Sequence, residues 1–561
     1  MRLRLLPAVL CCASFAASTF SGFDCFAQVT KPQPSPSQVK ESEDDSVVLI
    51  AMGPLDTLIP NIQHVARNVG AGAVAGGIVT AANQFLNGLD RARPFGVFVG
   101  FDDSNNPVPI GCLPVKDLEV FFDQLGTFGE ANDLGNGLYE FSLGRSIYAK
   151  KMGDWLFIAQ SEDALENIQA GKANSLVKLI QKYDVRIQIN PQNLPDDLVD
   201  FVISQMQAGV ERGINANGDM DADEAAAAKA TSEQAIAQIQ EGIEGTEKFI
   251  VGLTINKQEK KTILDFGSQF IADSKYAKQM EKAKTSKSAF TGIPQENSTM
   301  TLQTFQVVEP EEIAQLEKTL ESSLKAAFNA IDQKSKDPNS AAKAKDFISR
   351  GVDILIESAK QGKLESAVDV SVESGLSVVA SMGVSDGSKV EALASELAKE
   401  IAKETKDVQV QIGTGKHGGF NLHKVIGKLP PQADDSVRKI FGDSVTVAIG
   451  TSPKAVLIAL GKNCDASLKS AIDRVASKPT GQAEMVKMRF GLTQLLNYIQ
   501  SIEPTPVSEA MLSAATSGND RVMIDSQSVE RGAVVRLTLE DGVLKAIAAG
   551  VKVGQGAGGG F

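Results

Sequence analysis

Residues 137–168, GLYEFSLGRSIYAKKMGDWLFIAQSEDALENI, decide how the rest of the chain is interpreted. Apolar and polar residues alternate over residues 139–143, which is typical of a strand with one face in water. Residues 155–159, WLFIA, are apolar at every position and predict a strand in the middle of a sheet. Ser161 can cap a helix that runs to Ile168, and two acidic residues after it complement the helix dipole. The stretch therefore predicts strand, turn, strand, turn and helix.

The same order of predicted elements returns in the second half of the chain. The matched segments are residues 46–69 and 298–328, 95–125 and 367–401, 137–168 and 408–475, 185–210 and 486–499, and 246–271 and 521–549. Little residue identity survives between the members of each pair. We interpret this order as a tandem duplication, with a first domain at residues 45–285 and a second at residues 290–553.

Each half contains strands in hairpin pairs, separated by single amphipathic helices. This order favours antiparallel pairing over a parallel, doubly wound sheet. The predicted fold class is therefore α+β, with two tandem related domains. Each domain is predicted to be a mainly antiparallel sheet with amphipathic helices packed on one face.

The chain ends predict processing and flexibility. Residues 1–27 have a basic start, an apolar run and small residues at both positions that signal peptidase reads, which predicts a signal peptide cleaved before Gln28. Residues 28–44 are rich in proline, serine and charge and predict a disordered linker. Residues 554–561, GQGAGGGF, predict a flexible tail. The protein is therefore expected to be exported, to the periplasm, the cell envelope or the medium, without a membrane span after signal cleavage.

Charge and composition exclude several classes of partner. The formal net charge is −13 at pH 7, which disfavours electrostatic binding to nucleic acid or to anionic lipid. Aromatic residues make up 6% of the chain and Trp155 is its one tryptophan, which disfavours a carbohydrate-stacking platform.

An acidic cluster at residues 215–224, NANGDMDADE, is the candidate metal site. Side-chain oxygens of Asp219, Asp221 and Asp223 alternate in a way that can converge on calcium. A helix-loop-helix calcium site needs glycine at its sixth position and glutamate at its twelfth, where this chain has Met220 and Ala226. The alternative is an acidic cap for a helix at residues 224–243. Calcium is thus the one candidate cofactor.

No catalytic motif accompanies this cluster. The sequence contains no GxSxG, HExxH or CxxC. Its histidines are His64, His417 and His423, none with a carboxylate or cysteine at the spacing of a zinc site. Cys112 and Cys464 remain after signal cleavage and are either bonded to each other or buried as thiols. We therefore predict no catalytic and no cofactor-binding residue.

Residues 152–161, MGDWLFIAQS, precede a short acidic helix. In this unit the chain resembles large, uncharacterised families of exported bacterial proteins, including planctomycete-type secreted proteins with DxDxD stretches and glycine-rich tails. The resemblance implies export, and these families supply no active-site residues to carry over. In the second half, Gly442 and Asp443 also precede a strand, but one strand earlier in the unit.

Three functional hypotheses follow. The leading one is an exported, non-enzymatic binding or scaffold protein of the envelope or periplasm, with an unknown ligand. The alternative is a carrier of lipid or another hydrophobic ligand, which the apolar faces of curved antiparallel sheets would hold. The third is a hydrolase with a carboxylate site that a single sequence does not reveal. The candidate partners are accordingly a lipid or an envelope protein, and not nucleic acid.

Overall fold

The computed structural model describes residues 46–557, apart from residues 84–85, 127–130, 143–145, 167, 217–221, 336, 374, 405–406, 478–479 and 516–517. The predicted signal peptide, the predicted linker at residues 28–44 and the last four residues of the predicted tail lie outside this part of the chain.

The strands, numbered in chain order, are β1 (Val48–Met52), β2 (Phe95–Phe101), β3 (Pro107–Pro114), β4 (Ala131–Gly135), β5 (Leu138–Ser142), β6 (Ser146–Met152), β7 (Trp155–Ala159), β8 (Val185–Ile189), β9 (Thr246–Asn256), β10 (Lys261–Phe270), β11 (Lys287–Ser288), β12 (Met300–Val307), β13 (Lys363–Ser371), β14 (Ser377–Gly383), β15 (Val408–His417), β16 (Phe420–Lys428), β17 (Ser444–Ser452), β18 (Ala455–Gly461), β19 (Gly481–Gln482), β20 (Val486–Gly491), β21 (Arg521–Val529) and β22 (Gly532–Glu540).

The helices are α1 (Leu55–Asn68), α2 (Gly72–Asn83), α3 (Leu118–Leu125), α4 (Asp163–Glu166), α5 (Gly171–Leu179), α6 (Asp196–Ala216), α7 (Ala222–Gly245), α8 (Lys275–Thr285), α9 (Pro310–Lys334), α10 (Pro338–Ala359), α11 (Gly387–Glu404), α12 (Asp435–Phe441), α13 (Cys464–Ser477), α14 (Leu492–Ile502), α15 (Pro506–Ala514) and α16 (Asp541–Ala557). Pro191–Asn193 form a short 3₁₀ helix.

Within the described residues, 20 strands form one sheet, and every pairing in it is antiparallel. Its spatial order is β4-β5-β6-β7-β3-β2-β1-β8-β9-β10-β22-β21-β20-β12-β13-β14-β18-β17-β16-β15. A short ribbon, β11 with β19, stands apart from it. The predicted α+β class with a mainly antiparallel sheet is confirmed.

The two halves of this sheet are connected in the same order. Outward from β10 the strands are β9, β8, β1, β2, β3, β7, β6, β5 and β4, and outward from β22 they are β21, β20, β12, β13, β14, β18, β17, β16 and β15. Corresponding strands thus have the same rank along the chain. The halves meet where β10 pairs with β22.

Backbone hydrogen bonds repeat between the halves as well. The N–H of Val115, just after β3, donates to the carbonyl oxygen of Asp154 at 2.8 Å. At the corresponding place after β14, the N–H of Val384 donates to the carbonyl oxygen of Lys454 at 3.0 Å. The β6–β7 turn that contains Asp154 therefore corresponds to the β17–β18 turn that contains Lys454.

Helices pack on both faces of the sheet, so the prediction of helices on one face is wrong. We name the faces after two adjacent residues of β10, the Asp265 face and the Phe266 face. Helices α5 and α13 lie on the Asp265 face, and α3 and α11 lie on the Phe266 face near its two ends. Strand β7 shows the reason, because Phe157 packs under α5 while Leu156 packs under α3.

Two further segments differ from expectation. The helix predicted at residues 161–168 is one turn long, α4, and a second helix, α5, follows it. Residues 554–557 of the predicted flexible tail belong to α16. In the described part of the chain, no helix combines the length and the apolar character that crossing a bilayer requires.

Candidate functional site

The centre of the Phe266 face is a continuous apolar surface. Phe266 lies directly opposite Val251 on one side and Val535 on the other. The remaining large apolar residues of this surface are Val185, Ile187, Ile189, Phe249, Leu253, Leu264, Leu537, Ile524 and Met488. These side chains are half-buried, and Phe266 is 48% exposed although β10 is hydrogen-bonded on both sides. Solvent therefore reaches the apolar Phe266 face in the middle of the sheet.

Charge is excluded from this surface. Within the paired registers of β8, β9, β10, β22, β21 and β20, the polar residues on the Phe266 face are serines and threonines, and none is charged. One of them, Ser526, accepts a hydrogen bond from the N–H of Val486 at 2.6 Å. The surface is thus suited to apolar contact.

Two helices form opposite walls of this surface. Helix α8 packs Tyr276 and Met280 against Phe270, at the carboxyl end of β10. Helix α16 packs Val543 against Leu539, at the carboxyl end of β22. Because β10 and β22 are antiparallel, their carboxyl ends point in opposite directions. Helices α8 and α16 therefore lie at opposite ends of these two strands. We call the open surface between the two helices the apolar trough.

The registers give the width of the apolar trough. Leu539 lies on β22 opposite Thr262, which is eight residues from Phe270 along β10. Eight residues of extended strand span roughly 27 Å, and subtracting a helix radius at each wall leaves a floor roughly 16 Å wide. This width admits one or two extended acyl chains side by side.

On the other side of the sheet from the trough, the Asp265 face carries polar residues that pair with one another. Asp265 is 2% exposed and accepts two hydrogen bonds from Arg536, from Nε at 2.8 Å and from Nη2 at 2.7 Å. The hydroxyl of Tyr183 donates to the same carboxylate at 3.2 Å, and burial and then the Asp265 charge raise the pKa of Tyr183. This ion pair joins β10 to β22 at the middle of their register.

The first of the three histidines links the two halves near a trough wall. His64 of α1 is 2.8 Å from Asp541, from Nε2 to Oδ2, and Asn68 is within hydrogen-bond distance of the same ring nitrogen. Asp541 is the first residue of α16 and is buried. His64 therefore holds α1 against the wall helix.

His417 and His423 stand on neighbouring strands, β15 and β16, because Gly418 and Gly419 form the turn between them. His417 lies 2.8 Å from Asp473 and is partly exposed. His423 is buried, and its Nδ1 accepts the N–H of Gly413 at 3.2 Å. The two rings do not form one site.

The hydrogen bonds of His423 define its structural role. Because Nδ1 accepts an N–H, the neutral ring carries its proton on Nε2, which donates to Thr451 Oγ1 at 3.0 Å. Thr451 in turn donates to Glu391 of α11 at 3.0 Å. The ring thereby holds a bulge in β15, where the register shifts between Gln411 and Gly415.

Replacing His423 is expected to destabilise the second half. His423→Phe keeps an aromatic ring at this position but leaves the N–H of Gly413 and the hydroxyl of Thr451 without their partner, which costs about 1–3 kcal/mol of unfolding free energy. The matched control is His417→Phe at the partly exposed position, with an expected change of about 0.5 kcal/mol or less. Urea unfolding of both variants gives these values. Equal losses would contradict the role of the buried ring.

The same residue gives the stability a pH dependence. Burial lowers the pKa of His423 from its ordinary value of 6.5. The unfolded chain therefore binds a proton at this site first as the pH falls, and the stability that His423 contributes above pH 6.5 is lost progressively below it. Urea midpoints measured between pH 8 and pH 5 are expected to fall less steeply for His423→Phe than for the unmodified protein.

The remaining candidates of the sequence analysis are not brought together. Asp219 and Asp221 lie outside the described residues, and Asp223 is the second residue of α7. Among the residues that the structure describes, no group of three or more His, Cys, Asp or Glu side chains is arranged to hold a metal ion.

Cys112 and Cys464 are buried free thiols in separate cores, so the disulfide interpretation is wrong. Burial raises the pKa of Cys112 to about 12.

The turn between β6 and β7 borders a depression of about 620 Å³ that is open to solvent. Trp155 at its base is 6% exposed, and Arg93 lies 4.5 Å above the ring and 3.2 Å from Asp154. The tryptophan is thus covered by protein. Gly153 and Asp154 form the turn, Trp155 belongs to the core, and the stretch is structural.

The residues of the apolar trough are the ones that sequence reasoning missed. The alternation of apolar and polar residues along single strands does not show that six strands lie side by side with the same face uncovered.

No family model, no curated protein and no solved structure matches this chain.

Proposed function

We propose that this protein is an exported, non-enzymatic binding protein whose apolar trough holds an elongated apolar ligand such as an acyl chain. The observation that carries the proposal is the uncovered apolar floor around Phe266 in the middle of a fully paired sheet. Leaving such a surface in water is unfavourable, and contiguous apolar surface of this kind marks binding sites. Export follows from the signal peptide predicted at residues 1–27.

The chemistry of the floor favours a long ligand. Apolar contact is non-directional and gains about 0.8 kcal/mol for each methylene group that leaves water. Association itself costs several kcal/mol or more, so a short apolar molecule gains too little to remain bound. A chain that lies across several strands gains enough. The trough crosses at least six strands, or roughly 24 Å at the usual strand spacing.

The sheet topology disfavours binding of a peptide by strand addition. Strand addition requires an unpaired backbone edge. Strands β9, β10, β22 and β21 are each hydrogen-bonded on both sides, and the ends of the sheet are β4 and β15, far from the trough. Recognition at the trough therefore works through side chains.

We further propose that the two halves arose by tandem duplication. The identical strand order supports this, and so does the geometry of the junction. Lys260 and Arg531 each precede the junction strand of their half with a positive φ, of 57° and 54°. Phe270 N–H donates to the carbonyl oxygen of Arg531 at 2.7 Å, and Asp541 N–H donates to that of Lys260 at 2.9 Å. One sequence offset relates both donors and both acceptors, as a local two-fold axis requires.

The test uses the exported protein purified without detergent. Native mass spectrometry is expected to show a co-purifying lipid mass, and the intact mass is expected to correspond to a chain that begins at Gln28. After lipid removal, methyl cis-parinarate, a neutral fluorescent acyl ester, is expected to bind saturably with enhanced emission. A protein that neither carries lipid nor binds the ester would overturn the proposed function.

A further inference from the structure

We infer that the ligand is an anionic amphiphile, whose acyl chain lies on the floor of the apolar trough and whose acid group lies against the lysines of the trough walls. This inference rests on the proposed function and deepens it by naming the class of ligand. It is carried by the charge of the two wall helices.

Helix α8 and the two residues after it form a basic segment in an acidic protein. Residues 275–287 contain five lysines and one glutamate, a net charge of +4, whereas the whole chain carries −13. Tyr276, Ala277, Met280 and Ala283 turn the apolar side of α8 onto the sheet. The lysines are thereby left on the solvent side of the wall.

The lysines of this segment differ in their surroundings. Lys282 is held by Glu309 at 2.7 Å, which leaves less of its charge for another anion. Lys278 and Lys284 are exposed. An ammonium group at the rim of an apolar surface can pair with a carboxylate or phosphate while the attached chain stays on the floor.

The opposite wall carries the same sign of charge. Helix α16 contains Lys545 and Lys552, both exposed. Its one acidic residue among those described, Asp541, is buried and lies 2.8 Å from His64. Because α16 packs at the carboxyl end of β22 and α8 at the carboxyl end of the antiparallel β10, α16 lies across the floor from α8. Both wall helices thus carry exposed lysines beside the same trough.

Local charge outweighs the net charge in this setting. Exposed charges are screened over about 8 Å at physiological ionic strength, so a ligand in the trough interacts mainly with the lysines at its rim. The net charge of −13, which disfavours electrostatic binding to anionic lipid, is the sum over the whole chain. This sum applies to adsorption on a charged bilayer surface more than to one molecule in the trough.

The experiment compares cis-parinaric acid with its methyl ester on the delipidated full-length protein. The acid is expected to bind about tenfold tighter than the ester, a preference of the size that two lysines confer on an anion at a surface. In the double variant Lys278→Glu with Lys284→Glu, the acid is expected to lose this advantage while the affinity for the ester stays unchanged. The matched control, Lys462→Glu with Lys469→Glu, changes the net charge equally at exposed positions next to and on α13, behind the sheet, and is expected to keep the preference.

The possible results separate this inference from the proposed function. Equal binding of acid and ester by the unmodified protein would overturn the anionic class and leave an apolar-ligand protein. A preference that both double variants abolish would assign it to the overall charge and also overturn the inference. If neither probe binds, the proposed function itself fails.

Discussion

Phe266→Asp is expected to weaken binding of methyl cis-parinarate at least about a hundredfold while the protein stays folded. Phe266 stands at the centre of the apolar floor, between Val251 and Val535. An acyl chain that covers this position would bury a carboxylate between Val251 and Val535, on a face without a positive charge to pair with it. The cost of that desolvation is several kcal/mol, which exceeds the gain from the few methylene groups that lie over the residue.

The fold is expected to tolerate the change because the side chain is 48% exposed in the free protein. A surface substitution of this kind changes the unfolding free energy by about 1 kcal/mol or less. Circular dichroism and urea unfolding check this point, and fluorescence titration gives the dissociation constant. If Phe266→Asp loses both stability and binding, the milder variant Phe266→Ser tests the site instead. Its affinity for the ester is expected to be reduced about tenfold.

The control for Phe266→Asp is Val177→Asp. Val177 is 40% exposed on α5, which packs on the Asp265 face. The two variants place the same carboxylate at apolar, solvent-accessible positions on opposite sides of one sheet. Ester binding is expected to be unaffected by Val177→Asp. Retained binding in Phe266→Asp, or equal loss in both variants, would contradict the trough as the site.

Local sequence patterns predicted the strands well because alternation and apolar runs are short-range signals. The hairpins at residues 95–113 and 246–271 and the WLFIA strand are present in the structure. The sequence of α8 does not predict a helix, since its apolar positions are few. Helix α10 was not predicted, although Asp337 caps its first turn by accepting hydrogen bonds from two backbone N–H groups.

The candidate site required information that no local pattern contains. Whether an apolar strand face is covered depends on where the following helices lie, and those positions are set by packing between distant segments. Helix α8 follows β10 directly yet packs against Met485, which lies about two hundred residues later. The WLFIA run of β7 is apolar at every position, a pattern that indicates a strand covered on both faces. The prediction of helices on one face of the sheet disagrees with this pattern.

Exchange of the central ion pair is expected to show that the junction has two-fold symmetry. Asp265→Arg and Arg536→Asp are each expected to lose about 3 kcal/mol of unfolding free energy, since each places like charges together where Asp265 is buried. The double variant, Asp265→Arg with Arg536→Asp, is expected to recover part of this loss, since opposite charges again face each other across β10 and β22. The register centred on these two residues gives each new side chain the backbone surroundings that its counterpart had before.

Recovery is expected to be incomplete, because the carboxylate introduced at position 536 lies opposite Asp525 and because Tyr183 loses its acceptor. Its hydroxyl donates to Asp265 at 3.2 Å and would face a guanidinium group, which accepts no hydrogen bond, in the exchanged protein. Tyr183→Phe should therefore cost about 1 kcal/mol in the unmodified protein and close to nothing in the exchanged one. Urea unfolding of the three single variants, the double variant and the triple variant gives both the coupling energy of the pair and the contribution of Tyr183. If the exchanged protein is as unstable as the two single losses combined, the surroundings of the two positions are not equivalent and the duplication loses its support at the junction.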